Sequence, residues 1–257
     1  MTPTIDFTGL VTTAAGPLLG LLLGSVVGSF LGAILVRWPQ GRSVRAGRSR
    51  CDACDRVLTP RDLVPLLSYL WLGGRCRTCG APIRAGQFAA EAGGALIGLV
   101  AFAAHPFSLA LVTAIFGWWL LLIALLDLEH YWLSDRLTWP LLLAGLAAGL
   151  TGYGPSLPDR LLAAAAGFLA LAGIAALYRR VRGREGLGGG DPKLLAALGG
   201  WLGYQSLPLV LVLAGMLGLA AVLLQMLRGT PVRSGDRIPL GTLMALAAWP
   251  LWLIAAG

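Results

Sequence analysis

The sequence predicts an all-α polytopic membrane protein: about eight transmembrane helices and one small module outside the bilayer. Three observations predict it. Apolar residues make up 57% of the chain and charged residues only 12%, a balance outside that of ordinary soluble domains. Apolar runs near the roughly 17–25 residues needed to cross a bilayer recur along the chain. The polar residues are gathered into a few stretches between those runs, and the longest stretch holds all four cysteines.

Residues 1–36 form the first expected domain, a short polar start followed by a span read over 11–36. Gly20, Gly24, Gly28 and Gly32 recur every fourth residue. They make a smooth stripe on one helix face, which a neighbouring helix can approach closely. Residues 37–86 are the one long polar region, with ten arginines and breaks at Pro39, Pro60, Pro65 and Pro82. This second domain is read as a compact extramembrane module. Its apolar middle, 63–72, is too short to span and is expected at the interface or against membrane helices. Residues 87–257 form the third domain, a membrane core with spans read at 88–104, 109–126, 137–150, 161–178, 194–204, 207–227 and 238–255. Gly203, Tyr204, Gln205, Ser206 and Pro208 divide the long apolar stretch from Leu194 to Leu227 into a short span and a full one.

Charge orients the chain. If 37–86 is cytoplasmic and the spans alternate, then 127–136, 179–193 and 228–237 are cytoplasmic too. Nineteen of the twenty basic residues fall inside on that count and only Arg160 outside. The opposite orientation reverses the ratio, so the positive-inside rule decides. The net charge of +8 therefore points to anionic lipid headgroups as neighbours and not to nucleic acid. The first apolar run has no Lys or Arg before Arg37 and does not read as a cleaved signal peptide. No internal repeat of the kind found in transporters built from inverted halves is visible.

The cysteines form two pairs, Cys51-x-x-Cys54 and Cys76-x-x-Cys79, with 21 residues between them. Each short turn can supply two thiolates to one tetrahedral zinc ion, and the intervening chain brings the pairs together. Two disulfides are the rival reading, and the cytoplasmic placement argues against it because that compartment keeps thiols reduced. Four thiolates leave no open ligand position, so the zinc is expected to be structural.

Few acids lie in or beside the spans. Asp127, Glu129 and Asp135 sit at and just beyond the inner end of the third span, and Glu91 near the start of the second. Asp191 ends a glycine-rich loop, Gly186-Leu187-Gly188-Gly189-Gly190-Asp191-Pro192-Lys193. Topology puts Asp127 and Asp191 near one face. Two close carboxylates keep one proton between them, so one can act as base and the other as acid. That suits hydrolysis of a peptide bond without a covalent intermediate. Gly188 and Gly190 would let a bound peptide backbone approach, and Lys193 would position the loop or anchor a helix end. The residues alone leave other readings open. Asp191-Pro192 is a good helix start, and Ser134 or Asp135 could cap the fourth span. The acids could also serve proton or cation handling in a membrane carrier or channel. His105 is read as interfacial, and His130 is close enough to Asp127 to tune it, although its neighbours Tyr131 and Trp132 suggest an interfacial belt residue.

Several stretches resemble one family. Gly28-Ser29-Phe30-Leu31 with Arg37-Trp38-Pro39, the two cysteine pairs, and Pro65-Leu66-Leu67-Ser68-Tyr69-Leu70 with Gly74-Arg75-Cys76 occur in order. They are followed by Asp127-Leu128-Glu129-His130-Tyr131-Trp132-Leu133-Ser134-Asp135 and by Gly188-Gly189-Gly190-Asp191 with Lys193. Together they resemble the bacterial type IV prepilin peptidases, also called prepilin leader peptidases/N-methyltransferases, over nearly the whole chain. The resemblance implies an aspartyl protease of the inner membrane, with Asp127 and Asp191 as the catalytic pair and its active site facing the cytoplasm. It implies prepilin or pseudopilin substrates, cut after a glycine at the end of a basic leader. It also implies N-methylation of the new terminus with S-adenosylmethionine, and zinc on Cys51, Cys54, Cys76 and Cys79. The chain departs from the family pattern at Ser134, where Pro is usual, and at Gly32, where Asn is frequent.

Overall fold

The computed structural model describes residues 15–43, 48–229 and 237–256, so 11–14 of the first expected span lie outside the described residues. The described residues are helical, with two isolated β-bridges in the polar module. In chain order the helices are α1 (Ala15–Arg37), α2 (Leu67–Trp71), α3 (Ala85–Ala104), α4 (Phe107–His130) and α5 (Asp135–Ala148). They continue with α6 (Leu157–Arg182), α7 (Asp191–Leu202), α8 (Leu207–Leu227) and α9 (Leu240–Ala255).

A helix stands at each of the eight places where a span is expected. Five of them, α1, α3, α4, α6 and α8, are long and apolar enough to cross a membrane. The other three are shorter, so the expected count of about eight spans is not confirmed: α5, α7 and α9 have 14, 12 and 16 residues. At 1.5 Å per residue these are about 21, 18 and 24 Å long, against a hydrocarbon core of about 30 Å.

The chain packs as two compact units, Met1–Leu125 and Leu126–Gly257, with the cut inside α4. In the first unit α1 lies along α3 through the glycine stripe. A side chain at Gly20, Gly24 or Gly28 would run into the backbone of Gly98, Gly94 or Ala90. Trp118 adds α4 to this contact by donating its Nε1–H to the carbonyl of Gly94 (2.9 Å). The apolar middle of the polar module forms α2, and Tyr69 stacks on Phe88 of α3 at 4.4 Å between ring centres. Leu66, just before α2, has a positive φ of 63°. Its N–H donates to Glu91 Oε2 of α3 (2.8 Å), which gives Glu91 a structural partner.

The second unit is built around α7, which is buried at every position except Lys193. Small residues let its neighbours come close. Gly199 meets the backbone of Ala163 on α6, and a Cβ on Gly145 of α5 would lie 2.8 Å from the carbonyl of Gly200. Trp201 of α7 packs edge-on against Trp252 of α9 at 5.2 Å. Local chemistry sets the helix ends. Ser134 caps α5, its side chain accepting from the N–H of Arg136 (3.3 Å). Gly183 ends α6 in the left-handed conformation, and Arg179, Arg180 and Arg182 lie in that last turn, where positive charge suits the helix dipole.

Candidate functional site

Two centres form, one in each unit. In the first unit both Cys-x-x-Cys pairs make the same tight turn. The N–H of Asp55 donates to Cys51 O, and that of Gly80 to Cys76 O, each at 2.9 Å. Asp55 and Gly80 hold matching positive φ values, 54° and 70°. A bridge flanks each turn, Arg50 with Val57 and Arg75 with Pro82. The four Sγ atoms lie within 4.8 Å of one another, and Cys51 and Cys79 are 3.9 Å apart at sulfur. Tetrahedral zinc with Zn–S of about 2.3 Å requires sulfurs about 3.8 Å apart. All four are free thiols, so the donor set and its geometry fit one structural zinc ion.

In the second unit Asp127 sits near the end of α4. It is 5% exposed, and Asp191 is 7% exposed. Asp127 Oδ2 accepts from the N–H of Thr242 (2.8 Å) and from its hydroxyl (3.3 Å), so the start of α9 fixes that carboxylate. Gly241 must be bare, because a Cβ there would lie 2.9 Å from the same oxygen. Asp191 is the first residue of α7, with Gly190 in the cap position. The expected arrangement, Asp191 as cap and Pro192 first, is therefore moved by one residue. The Asp191 carboxylate instead turns back to accept from the N–H of Gly188 (3.0 Å). Asp127 is near enough to act electrostatically on Asp191. Leu133 fits between the two segments: a Cβ on Gly190 would meet it at 2.5 Å and one on Gly241 at 2.9 Å.

The supporting residues divide. Lys193 reaches Asp135 with Nζ at 2.6 and 2.8 Å from its two oxygens, tying the first turn of α7 to the first turn of α5. Gly190 makes room for Leu133 and Gly188 abuts the Asp191 carboxylate, while Gly189 faces open space. His130 is exposed and stands 3.8 Å from Glu129. His105 is buried, at the turn between α3 and α4. Sequence reasoning missed Thr242, Gly241 and Leu133. The one available signal was the Gly241-Thr242 pair of small residues opening the last apolar run. It also misjudged Arg160, taken for an outside loop residue and found fully buried.

A helical multi-pass membrane protein, with two buried aspartates in one unit and a four-cysteine cluster in the other, is a narrow class. Residues 22–105 match the bacterial peptidase A24 N-terminal domain and residues 114–223 the type IV leader peptidase family. The chain is 41% identical over 204 residues to the prepilin leader peptidase/N-methyltransferase of Aeromonas hydrophila, covering 79% of this chain and 70% of that protein. It is 40% identical over 206 residues to that of Pseudomonas aeruginosa (78% and 69%), and 38% identical over 210 residues to that of Dichelobacter nodosus (81% and 71%). No solved structure matches it. The chain belongs to the type IV leader peptidase family.

Proposed function

We propose that the chain is a membrane aspartyl endopeptidase with N-methyltransferase activity. It removes the basic leader of type IV prepilins or pseudopilins after a glycine, at the cytoplasmic face of the bacterial inner membrane, and methylates the new N-terminus. The observation that carries this reading is that two buried carboxylates, Asp127 and Asp191, lie in one unit, with Leu133 packed between Gly190, beside Asp191, and Gly241, beside the Asp127 carboxylate. The names of the relatives support the substrate and both activities.

The pair keeps one proton between its two carboxyl groups. The ionised member takes a proton from water as the water oxygen bonds to the scissile carbonyl carbon. The protonated member gives its proton to the carbonyl oxygen. Collapse of the tetrahedral species breaks the C–N bond, and a proton passes to the leaving amine. Thr242 and the N–H of Gly188 hold the two carboxylates in place for this. Asp127 is in the last turn of α4 and Asp191 is the first residue of α7; helix-end positions support a peptidase at the membrane surface over ion translocation, which calls for carboxylates at mid-span.

The division into 1–36, 37–86 and 87–257 assigns the metal to the second part, where Cys51, Cys54, Cys76 and Cys79 would hold zinc and stabilise the module. S-adenosylmethionine supplies an electrophilic methyl group when bound. A cavity of about 400 Å³ in the first unit, lined by Ser29, Tyr69, Phe88 and Glu91 among others, is within the size range of small-molecule sites. We place the methyl donor there. The test of the peptidase reading is cleavage of a prepilin by wild-type protein, Asp127→Asn and Asp191→Asn. Loss of about 10⁴-fold or more in rate is expected for each variant. Wild-type cleavage by either one removes the assignment.

A further inference from the structure

Arg160 lies in the first turn of α6 and has 0% exposure. An ionisable group buried in a membrane protein needs a reason, because the charge is costly unless its donors are satisfied. Here every nitrogen of the guanidinium faces a backbone carbonyl. Nη1 donates to the carbonyls of Gly145 (2.8 Å), Gly200 (2.9 Å) and Trp201 (3.0 Å). Nε donates to Pro155 (2.8 Å) and Nη2 to Tyr153 (2.5 Å). The guanidinium also lies 5.7 Å from the ring centre of Trp252.

These acceptors have a pattern. Gly145 is in the last turn of α5, and Gly200 and Trp201 are in the last turn of α7. The final carbonyls of a helix have no donor within it. One guanidinium therefore caps two helix C-termini, with its charge at the negative end of both dipoles. The opposite ends of the same helices form the aspartate site. α7 begins with Asp191, about 14 Å from Gly200 at 1.5 Å per residue. α5 begins with Asp135, which Lys193 grips, about 15 Å from Gly145. The third helix at Arg160 is α9, through Trp252, and the first turn of α9 holds Thr242, the donor to Asp127.

We infer that Arg160 is a positioning residue for the aspartate pair: by pinning the far ends of α5 and α7 to one another, it sets where Asp191 stands relative to Asp127. The inference rests on the assignment of those two aspartates as the catalytic pair. Lysine at this position keeps the charge, but it offers three donors on one nitrogen where arginine offers five in a rigid fork. It cannot hold both helix ends and both loop carbonyls at once. Gly149→Ala disturbs the same group more gently, since its methyl would meet Arg160 Cδ at 2.9 Å and Nε at 3.0 Å.

The experiment measures kcat and KM for prepilin cleavage by full-length wild type, Arg160→Lys, Gly149→Ala and Asp191→Asn, with rates normalised to the folded fraction from thermal unfolding. Arg160→Lys is expected to lower kcat on the order of 10- to 100-fold, the cost of misplacing a reacting group by about 1 Å, with KM changed less than about two-fold. Gly149→Ala is expected to shift kcat in the same direction by less. A folded Arg160→Lys with wild-type kcat overturns the inference, as does a loss explained by the folded fraction alone. If Arg160→Lys does not fold, a folded Gly149→Ala with wild-type kcat overturns it. Asp191→Asn that still cleaves removes the catalytic assignment itself. An inactive Asp191→Asn beside a fully active Arg160→Lys leaves that assignment standing and removes only the role of Arg160.

Discussion

Asp62, in the polar module, has a side chain only 3% exposed. It accepts from the Thr59 N–H (3.0 Å) and hydroxyl (2.8 Å), from Arg56 (2.6 Å) and from Arg77 (3.0 Å). The N–H of Thr59 foremost, then its hydroxyl and the two arginines, hold its pKa down to about 2 against the opposing effect of burial. A carboxyl whose folded pKa is depressed stabilises the fold above its ordinary pKa of 3.8, and that stability is lost as pH falls from there through about 2. Asp62→Asn is therefore expected to cost about 2 kcal/mol near neutral pH, and the gap from wild type should narrow near pH 3. Unfolding of both proteins at the two pH values checks this. A gap that stays constant would mean the charge of Asp62 contributes nothing.

At the scale of elements, the glycine stripe of α1 makes the clearest forecast. A Cβ at Gly24 would strike the carbonyl of Gly94, and backbone cannot move aside as a side chain can. Gly24→Leu must separate α1 from α3 and is expected to cost about 1–3 kcal/mol or more. Gly173→Ala in α6 meets nothing within 4 Å and should be neutral or slightly stabilising. Thermal unfolding in detergent distinguishes the two, and equal melting temperatures would sink the packing argument. The stripe was legible because its spacing is local to one helix. So were the helices: the expected 207–227 coincides with α8, and 88–104 differs from α3 only at its start. The shortness of α7 was legible in the break from Gly203 to Pro208, and that of α5 in the brevity of the apolar run 137–150. Thr242 and Leu133 were illegible. Thr242 meets Asp127 across 115 residues of chain, and no sequence period records such a contact. Arg160 was misread because a charge count scores a basic residue by its loop, whereas burial is decided by the carbonyls that converge on it.

At the scale of the whole molecule, the residues proposed for the two activities fall in different units. Asp127, Asp191 and the groups that hold them, Thr242 and Gly188, all belong to the second unit. The cavity proposed for the methyl donor lies in the first, and its walls include Cys51, Cys76, Arg56 and Asp62. A metal that fixes the two cysteine turns also fixes those walls, because ligand binding and local folding are one equilibrium in small metal modules. Stripping zinc from the full-length protein with a chelator is therefore expected to separate the activities. Methylation should fall by about 10-fold or more, while prepilin cleavage stays within about two-fold of wild type. Metal content, cleavage and methyl incorporation measured on the same sample decide it. A parallel loss of both activities would defeat the division of labour. Unchanged metal content in a Cys51→Ser, Cys54→Ser protein would take zinc away from the cluster, and with it the physical reason for the two activities to part.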